Sequence, residues 1–310
     1  MIELTAEGPY DLRGTLFPLY GGAIRRGPTR RLGAGGAWGA TRTPLGPASW
    51  QVEVLAPGRV GMRAWGPGRD WVLGRAPDLL GLSDTPPPLR PAHASVSRFA
   101  KRARGIRLPR SHRVVELLVP TILAQKVSGA EAARAYASLV RRFSDPAPAP
   151  LSELWLPPSA EQLRGLPDWA TEPLGVLGRH LRVLRRVGAL APRLEEVAAM
   201  GLDDAVRRLV SVAGIGPWTA GSVLLNGLGH ADALPVGDLH LPSLVAWNLV
   251  GEREADDRRM LELLEPYRGM RGRVVRWIAH GGVHPPRRGP RPALRPRPPG
   301  WRAAMARPRR

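Results

Sequence analysis

The segment from Leu209 to Pro242 constrains this chain most, because it joins a glycine turn to an isolated aspartate further along. It reads LVSVAGIGPWTAGSVLLNGLGHADALPVGDLHLP. Gly214 and Gly216 predict a turn that can adopt positive φ and allow close approach of another backbone. Pro217 fits the first turn of a helix, where its missing N–H costs nothing. We therefore expect outward-pointing backbone N–H groups that can bind an anion such as a phosphate.

Better-known glycine loops do not fit this segment. The third glycine of a dinucleotide fingerprint would fall at Thr219, and no Gly-Lys-Ser/Thr of a P-loop follows. A lone Gly-Ile-Gly is also typical of a plain helix-turn-helix corner with a glycine cap. The aspartate downstream favours the anion-binding interpretation over this alternative.

The segment resembles the helix-hairpin-helix, Gly/Pro-rich loop and catalytic aspartate of base-excision DNA glycosylases. Its GIGPWTA form is similar to the AlkA-type 3-methyladenine DNA glycosylases. VVELLVPTILAQKVSGAEAA, from Val114 to Ala133, resembles an early helix of that family, and RTPLGPASW and AWGPGRDWVL resemble its amino-terminal domain. The resemblance covers residues 10 to 280 in rough terms, and it implies removal of alkylated purines of the 3-methyladenine and 7-methylguanine type.

Asp238 occupies the position of the family's catalytic carboxylate. Breaking the bond between a base and deoxyribose develops positive charge on the sugar, which a nearby carboxylate stabilises while it positions or deprotonates water. If the chain is helical from Leu239 onward, the helix N-terminus stabilises the ionised carboxylate. A plain N-cap is the competing interpretation, and the spacing from the hairpin favours catalysis.

Trp218 stands where related glycosylases that also nick the strand carry a Schiff-base lysine. The resemblance therefore implies a monofunctional glycosylase that uses water and lacks AP-lyase activity. The missing lysine also disfavours an oxidised-purine glycosylase. An electron-rich indole stacks well on a cationic alkylated purine, whereas the alternative for Trp218 is core packing between two helices.

The predicted base pocket, which comprises Trp218, Ser222, Leu239 and Trp277, departs from the family pattern. Ser222 and Leu239 replace tyrosines of AlkA-type relatives, and Trp277 supplies a wall only if its helix folds back over the site, with core packing favoured. A catalytically weak or inactive DNA-binding protein with a degraded pocket is therefore the alternative function. It predicts binding without base release.

Base flipping leaves a gap in the duplex that the enzyme must fill. Gln125 and Lys126 lie where the family places its minor-groove wedge, although Lys126 could equally be an ordinary solvated or phosphate-facing lysine. The resemblance also implies a phosphate-binding hairpin formed by Val212, Gly214, Ile215, Gly216 and Thr219. Its carbonyl groups can hold a monovalent cation in this family, and no other cofactor or side-chain metal site is expected.

The charge of the chain indicates a polyanionic partner. It has 46 lysines and arginines against 26 acidic residues, a formal net charge of +20 over 310 residues, and such a balance predicts salt-sensitive binding to nucleic acid. We expect double-stranded damaged DNA as the partner of a monomer. The absence of cysteine excludes disulfides and the cysteine-ligated iron–sulfur cluster of the endonuclease III branch. Without a membrane-spanning run or signal segment, we expect a cytoplasmic, nucleoid-associated bacterial protein.

The pattern predicts an α+β fold in two domains. Residues 1–83 form a small amino-terminal antiparallel-sheet domain, 84–91 a stiff Pro-rich linker, 92–284 an all-α helix-hairpin-helix glycosylase domain and 285–310 a disordered Arg/Pro-rich tail. Alternation from Trp50 to Trp65 predicts two strands joined at Pro57-Gly58. Residues 21–39 show no period and are assigned to irregular structure.

Helical periodicity dominates the second predicted domain. The stripe comprises Val114, Leu117, Leu118, Thr121, Ile122 and Gln125, and the period continues through Ala130–Phe143 and Met260–Leu264. The sequence therefore predicts a helical body that carries the glycine hairpin.

Overall fold

The computed structural model describes residues 1–20, 27–33, 35–170 and 174–286. The predicted α+β class is confirmed: one antiparallel sheet near the amino terminus is followed by a helical body. The predicted disordered tail, apart from residues 285 and 286, lies outside the described residues. No described helix is long and apolar enough to cross a membrane.

The sheet has five strands in the order β1-β5-β4-β3-β2. The strands are β1 Ile2–Thr5, β2 Arg30–Leu32, β3 Gly36–Thr43, β4 Gly46–Ala56 and β5 Arg59–Trp65. The predicted hairpin is confirmed, since β4 pairs antiparallel with β5 and Gly58 adopts a φ of +74° in the turn. Positive φ at that position is why the turn uses glycine.

The assignment of residues 21–39 to irregular structure is wrong where the chain forms β2 and the start of β3. Gly39 pairs with Trp50 of β4, and a Cβ at Gly39 would collide with the Trp50 indole. The glycine therefore makes room for a large side chain on the neighbouring strand. Because glycine interrupts the alternation of apolar and polar residues, the sequence pattern did not predict a strand here. Residues 21–26 and 34 lie outside the described residues.

The helical body starts after a segment without helix or strand, residues 84–91. The helices of the whole chain are α1 Leu12–Leu16, α2 Arg69–Gly74, α3 Ala76–Leu79, α4 Ala94–Arg102, α5 Val114–Leu123, α6 Gly129–Phe143, α7 Ala160–Arg164, α8 Gly178–Ala189, α9 Ala191–Glu195, α10 Leu202–Val210, α11 Pro217–Gly227, α12 Leu241–Val250, α13 Asp257–Leu264 and α14 Arg271–Gly281. Short 3-10 turns lie at Phe17–Tyr20, Asp168–Ala170, Glu196–Ala199 and Glu265–Tyr267.

Each helix predicted from periodicity is present. Ser128 and Glu131 form a capping box at the start of α6, which explains why the helix begins at Gly129. The stripe that begins at Val114 is helical only as far as Leu123, so Gln125 lies in the turn beyond α5. This places Gln125 at the end of a buried helix, where its side chain can face another element.

Two apolar clusters hold the body together. The first runs from the sheet through α5, α6, α8 and α11 and includes Leu16, Val52, Leu118, Leu139, Leu184 and Leu224. The second joins α4, α12, α13 and α14 and includes Val96, Leu244, Met260, Val274 and Trp277. The first cluster continues across residue 84, so the two-domain division stays a prediction. The connection between α11 and α12, residues 228–240, links the two clusters and carries the predicted catalytic aspartate.

A buried carboxylate fastens the sheet to α5. Glu116 is 5% exposed, and its Oε1 accepts hydrogen bonds from Thr41 Oγ1 and Arg42 N, both at 2.7 Å. Its Oε2 accepts from Arg30 Nη2 at 3.3 Å. Because every donor comes from β2 or β3, this one side chain sets the position of the sheet edge against the helical body.

Candidate active site

The glycine hairpin connects α10 to α11. Val212 and Ile215 are buried in the first cluster and anchor it, while Gly214 adopts a φ of +98°. A side chain at Gly214 would also collide with Val183 of α8. Glycine is therefore required at 214 both for its backbone conformation and for close packing.

The hairpin presents free backbone donors beside the start of α11. Among the described residues, the N–H groups of Gly214 and Gly216 have no hydrogen-bond acceptor. Space is open around Gly216, where an added Cβ would meet nothing within 4 Å. These donors and the N-terminus of α11 form an arrangement suited to an anion.

Gln125 braces the hairpin from the end of α5. Its Nε2 donates to Gly214 O and to Thr219 Oγ1, both at 2.9 Å. Thr219 is buried, so this contact ties the turn to the first helical turn of α11. Both amide hydrogens of Gln125 are committed to the hairpin, so the side chain braces the turn, and its role as a minor-groove wedge stays a prediction.

Lys126, the second wedge candidate, is exposed and has a φ of +54°. That left-handed conformation is uncommon for a lysine and persists only where neighbouring contacts impose it. Those contacts are made by the Gln125 carbonyl, which accepts from His180 Nε2 at 3.1 Å and Arg179 Nη2 at 3.3 Å. A braced turn therefore presents Lys126 to solvent, and its role as a wedge stays a prediction.

Asp238 is partly exposed and accepts three N–H hydrogen bonds. Its Oδ2 accepts from the indole Nε1 of Trp218 at 2.8 Å, and its Oδ1 from the backbone N of His240 at 2.8 Å and of Leu241 at 2.9 Å. The helix whose N-terminus was considered from Leu239 onward is α12, which starts at Leu241. The carboxylate itself caps the first N–H groups and delays the helix by two residues.

These contacts define what the carboxylate can do chemically. Three N–H donors and a helix N-terminus stabilise its anionic form and hold its orientation. Three of the carboxylate's lone pairs already accept hydrogen bonds, and its negative charge remains available. The arrangement therefore suits electrostatic stabilisation of a nearby cation more than proton abstraction.

Asp257 steadies the backbone next to Asp238, and the sequence reasoning missed it. Both of its carboxylate oxygens accept from Gly237 N, at 3.1 and 3.0 Å. Gly237 has a φ of +93°, so the loop needs both a glycine and an external acceptor at this point. Nothing in the sequence around Asp257 distinguishes it from an ordinary acid in the first turn of a helix.

The four residues predicted for the base pocket do not converge. Trp218 and Ser222 lie one turn apart on α11 and are both partly buried, so they share a face. Leu239 is 85% exposed beside Asp238. Trp277 is 9% exposed within the second apolar cluster. Trp277 therefore packs in a core, which is the arrangement that the sequence favours, and its role as a pocket wall stays a prediction.

The fold formed by this sheet, helical body and hairpin is similar to that of solved 3-methyladenine and 8-oxoguanine DNA glycosylases. The 3-methyladenine DNA-glycosylase from Archaeoglobus fulgidus superimposes with a TM-score of 0.74 at 18% identity, over 90% of this chain and 97% of that chain. The 8-oxoguanine glycosylase/lyase of Clostridium acetobutylicum in complex with double-stranded DNA has a TM-score of 0.67 at 12% identity, over 90% and 97%.

Sequence comparison leads to a more particular likeness. The chain is 34% identical over 148 residues to the probable bifunctional transcriptional activator/DNA repair enzyme AlkA of Mycobacterium tuberculosis. That alignment covers 45% of this chain and 28% of the relative, so the chain spans less than a third of that relative's length. No protein-family model matches. The names of the relatives confirm the resemblance to AlkA-type 3-methyladenine glycosylases that the hairpin motif indicates.

Proposed function

We propose that this protein is a monofunctional DNA glycosylase that flips out and hydrolytically excises alkylated purines of the 3-methyladenine and 7-methylguanine type. The observation that carries the proposal is the hydrogen bond between Trp218 Nε1 and Asp238 Oδ2. It joins the first turn of the hairpin helix to the carboxylate, so one rigid unit holds both the phosphate-binding donors and the charge needed at the sugar. The relatives' glycosylase names support this enzyme over an inactive DNA-binding protein.

The chemistry follows from the charges involved. An alkylated purine carries a positive charge and leaves as a neutral base with the electron pair of its bond to C1′, so its departure needs no acid. The sugar then has oxocarbenium character, which the Asp238 carboxylate stabilises. Water forms the new bond to C1′ and gives up a proton. Because three N–H groups hold the carboxylate, it meets this charge without having to reorganise.

Trp218 supports the proposal that strand cleavage does not accompany base release. Formation of a Schiff base with the sugar needs an amine at the reacting carbon, and the indole at this place donates its N–H to Asp238 instead. A flipped, cationic base can stack on the indole ring. We therefore propose water as the nucleophile and an intact strand with an abasic site as the product.

The partner we propose is double-stranded damaged DNA, bound by a monomer in the cytoplasm near the nucleoid. Backbone N–H groups of Gly214 and Gly216 bind a phosphate, and Lys126 fills the gap left by the flipped base. The expectation of a monovalent cation at the hairpin carbonyls stays a prediction. Such a cation would share the carbonyls of Ala213 and Gly214, which accept from Arg186 and Gln125.

The test compares the wild-type protein with Asp238→Asn on methylated duplex DNA. Free 3-methyladenine and 7-methylguanine are quantified alongside binding and strand nicking. We expect base release by the wild type, loss of release with retained binding in the variant, and no nick before alkaline treatment. Binding by both proteins without release of any base overturns the enzyme, and borohydride trapping of a covalent complex overturns the monofunctional mechanism.

A further inference from the structure

One face of α8 is lined by arginines. Arg179, Arg182 and Arg186 are spaced three and four residues apart and are all exposed, and we call them the arginine ridge. The opposite face is buried in the first cluster through Leu181, Leu184 and other residues. Three residues that recur with this spacing lie on one side of a helix. The ridge is therefore a continuous cationic surface.

The ridge lies between the two elements proposed to bind DNA. At one end Arg179 Nη2 donates to the carbonyl of Gln125, next to Lys126. At the other end Arg186 Nη1 donates to the carbonyl of Ala213 in the hairpin, at 3.1 Å. At 1.5 Å per residue the ridge is about 10 Å long, which corresponds to about three nucleotides at 3.4 Å along one strand.

The ridge carries charge that the protein does not neutralise. Within the described residues, no carboxylate lies within ion-pair distance of Arg179, Arg182 or Arg186. Arg185, which points away from this face, instead forms an ion pair with Asp168 at 2.8 Å and binds the carbonyl of Leu166. Arg185 is therefore neutralised by Asp168 of a neighbouring turn, whereas the charges of the ridge have no carboxylate partner among the described residues.

We propose that the arginine ridge is a second phosphate-binding site, which continues the hairpin's site and holds the backbone of the strand that flanks the lesion. This inference rests on the proposed function only for the identity of the partner as DNA. Guanidinium groups bind phosphate oxygens in a bidentate manner. Because the contact involves phosphates alone, the ridge adds affinity for damaged and undamaged duplex equally and does not change the chemical step.

The test measures how binding depends on salt. Each phosphate contact contributes about 0.9 to the slope of log affinity against log salt concentration. The variant R179Q/R182Q/R186Q is therefore expected to lower that slope by about 2 to 3. The matched control is R59Q/R63Q/R69Q, which removes the same charge from exposed, ion-paired arginines of the sheet region. We expect the control to leave the slope nearly unchanged.

Two outcomes would contradict the proposal that the ridge binds phosphates. One is an unchanged salt slope in the ridge variant. The other is an equal loss of slope in the ridge and control variants, because such a result would show that net charge alone matters. Lysines at the three positions should restore most of the slope. If the triple variant unfolds, Arg182→Gln replaces it, because the Arg182 guanidinium has no hydrogen-bond partner among the described residues; a drop of about 0.9 is then expected.

The experiment separates failure of the ridge from failure of the proposed function. Binding is measured on undamaged duplex, where no base is released, so an inactive protein gives the same readout. In an active protein, base release at saturating enzyme should stay at the wild-type rate in Arg182→Gln, because Arg182 makes neither the hairpin contact of Arg186 nor the Gln125 contact of Arg179. A slower chemical step at saturation with an unchanged salt slope would place these arginines in catalysis and contradict the proposal.

Discussion

Asp238 and Glu116 accept the same number of hydrogen bonds in very different surroundings. Asp238 takes three N–H donors and stays partly exposed in the connection between the two apolar clusters. Glu116 takes a hydroxyl, a backbone N–H and a guanidinium, and it is 5% exposed beneath the sheet. The number of donors therefore does not distinguish the carboxylate that we propose to react from the one that fastens the sheet. Access from solvent and the origin of the donors do.

The donors of the two carboxylates also differ in sequence distance. Two donors of Asp238 come from the next three residues, and the third comes from the hairpin helix. Those of Glu116 come from strands more than seventy residues away. Local donors can be arranged by a short segment of sequence. Distant donors reach Glu116 only once the sheet has packed on α5, so these hydrogen bonds stabilise the fold.

The largest effect is expected for Asp238→Asn. Asparagine is a good N-cap and keeps the acceptor for His240 N and Leu241 N. Its amide nitrogen faces the Trp218 Nε1–H donor, so the free energy of unfolding should fall by about 1 to 2 kcal/mol. Loss of the charge next to the sugar should lower base release by about a hundredfold to a thousandfold. Single-turnover release and urea unfolding of the same preparation check both parts. A large loss of stability would move Asp238 to the structural side of the comparison.

Glu116→Gln should give the converse result, with a loss of about 3 kcal/mol in the free energy of unfolding. The substitution leaves the Arg30 guanidinium, which is 12% exposed, without its counter-charge. Base release per folded molecule should stay near the wild-type value, because the sheet junction does not touch the reacting groups. Denaturant unfolding gives the first quantity and active-site titration the second. The control is Glu153→Gln, which removes the exposed partner of Arg31 and should cost less than about 1 kcal/mol.

Trp218→Phe tests how much the indole donor contributes to the function of Asp238. Phenylalanine keeps an aromatic face but removes the donor to Asp238 Oδ2. A hydrogen bond to a charged group contributes about 1.5 kcal/mol, so base release should fall about tenfold. Unchanged release would show that Trp218 acts only through its ring.

The smallest effect concerns the turn that presents Lys126. Burial lowers the pKa of His180 below its ordinary 6.5, although its hydrogen bond to the Gln125 carbonyl acts the other way. The unfolded chain therefore binds the proton first as pH falls. Stability should be complete above pH 6.5 and decline below it. His180→Gln keeps a donor and does not titrate in this range. The difference in free energy of unfolding between the wild type and this variant should therefore change with pH below 6.5. A difference that is independent of pH would contradict the lowered pKa of His180.

Local patterns predicted a large part of this protein. The glycines at 214 and 216, Pro217 and Asp238 identify the hairpin and the aspartate, because backbone conformation and capping depend on neighbouring residues. Alternation from Trp50 to Trp65 predicted the β4–β5 hairpin for the same reason. The resemblance to AlkA-type glycosylases rests on these short segments, and the relatives confirm it.

Tertiary structure decided the features that depend on distant partners. β3 forms although Gly36 and Gly39 break the pattern, because the Val52 backbone approaches Gly36 and the Trp50 indole fills the space beside Gly39. Gln125 contacts the hairpin and Trp277 packs in the second cluster, and no local pattern specifies which element either side chain meets. Sequence by itself determined which residues can adopt the hairpin, cap a helix and carry charge. Which of these residues face solvent depends on the packing of the two apolar clusters, because a side chain is buried only when another element covers it.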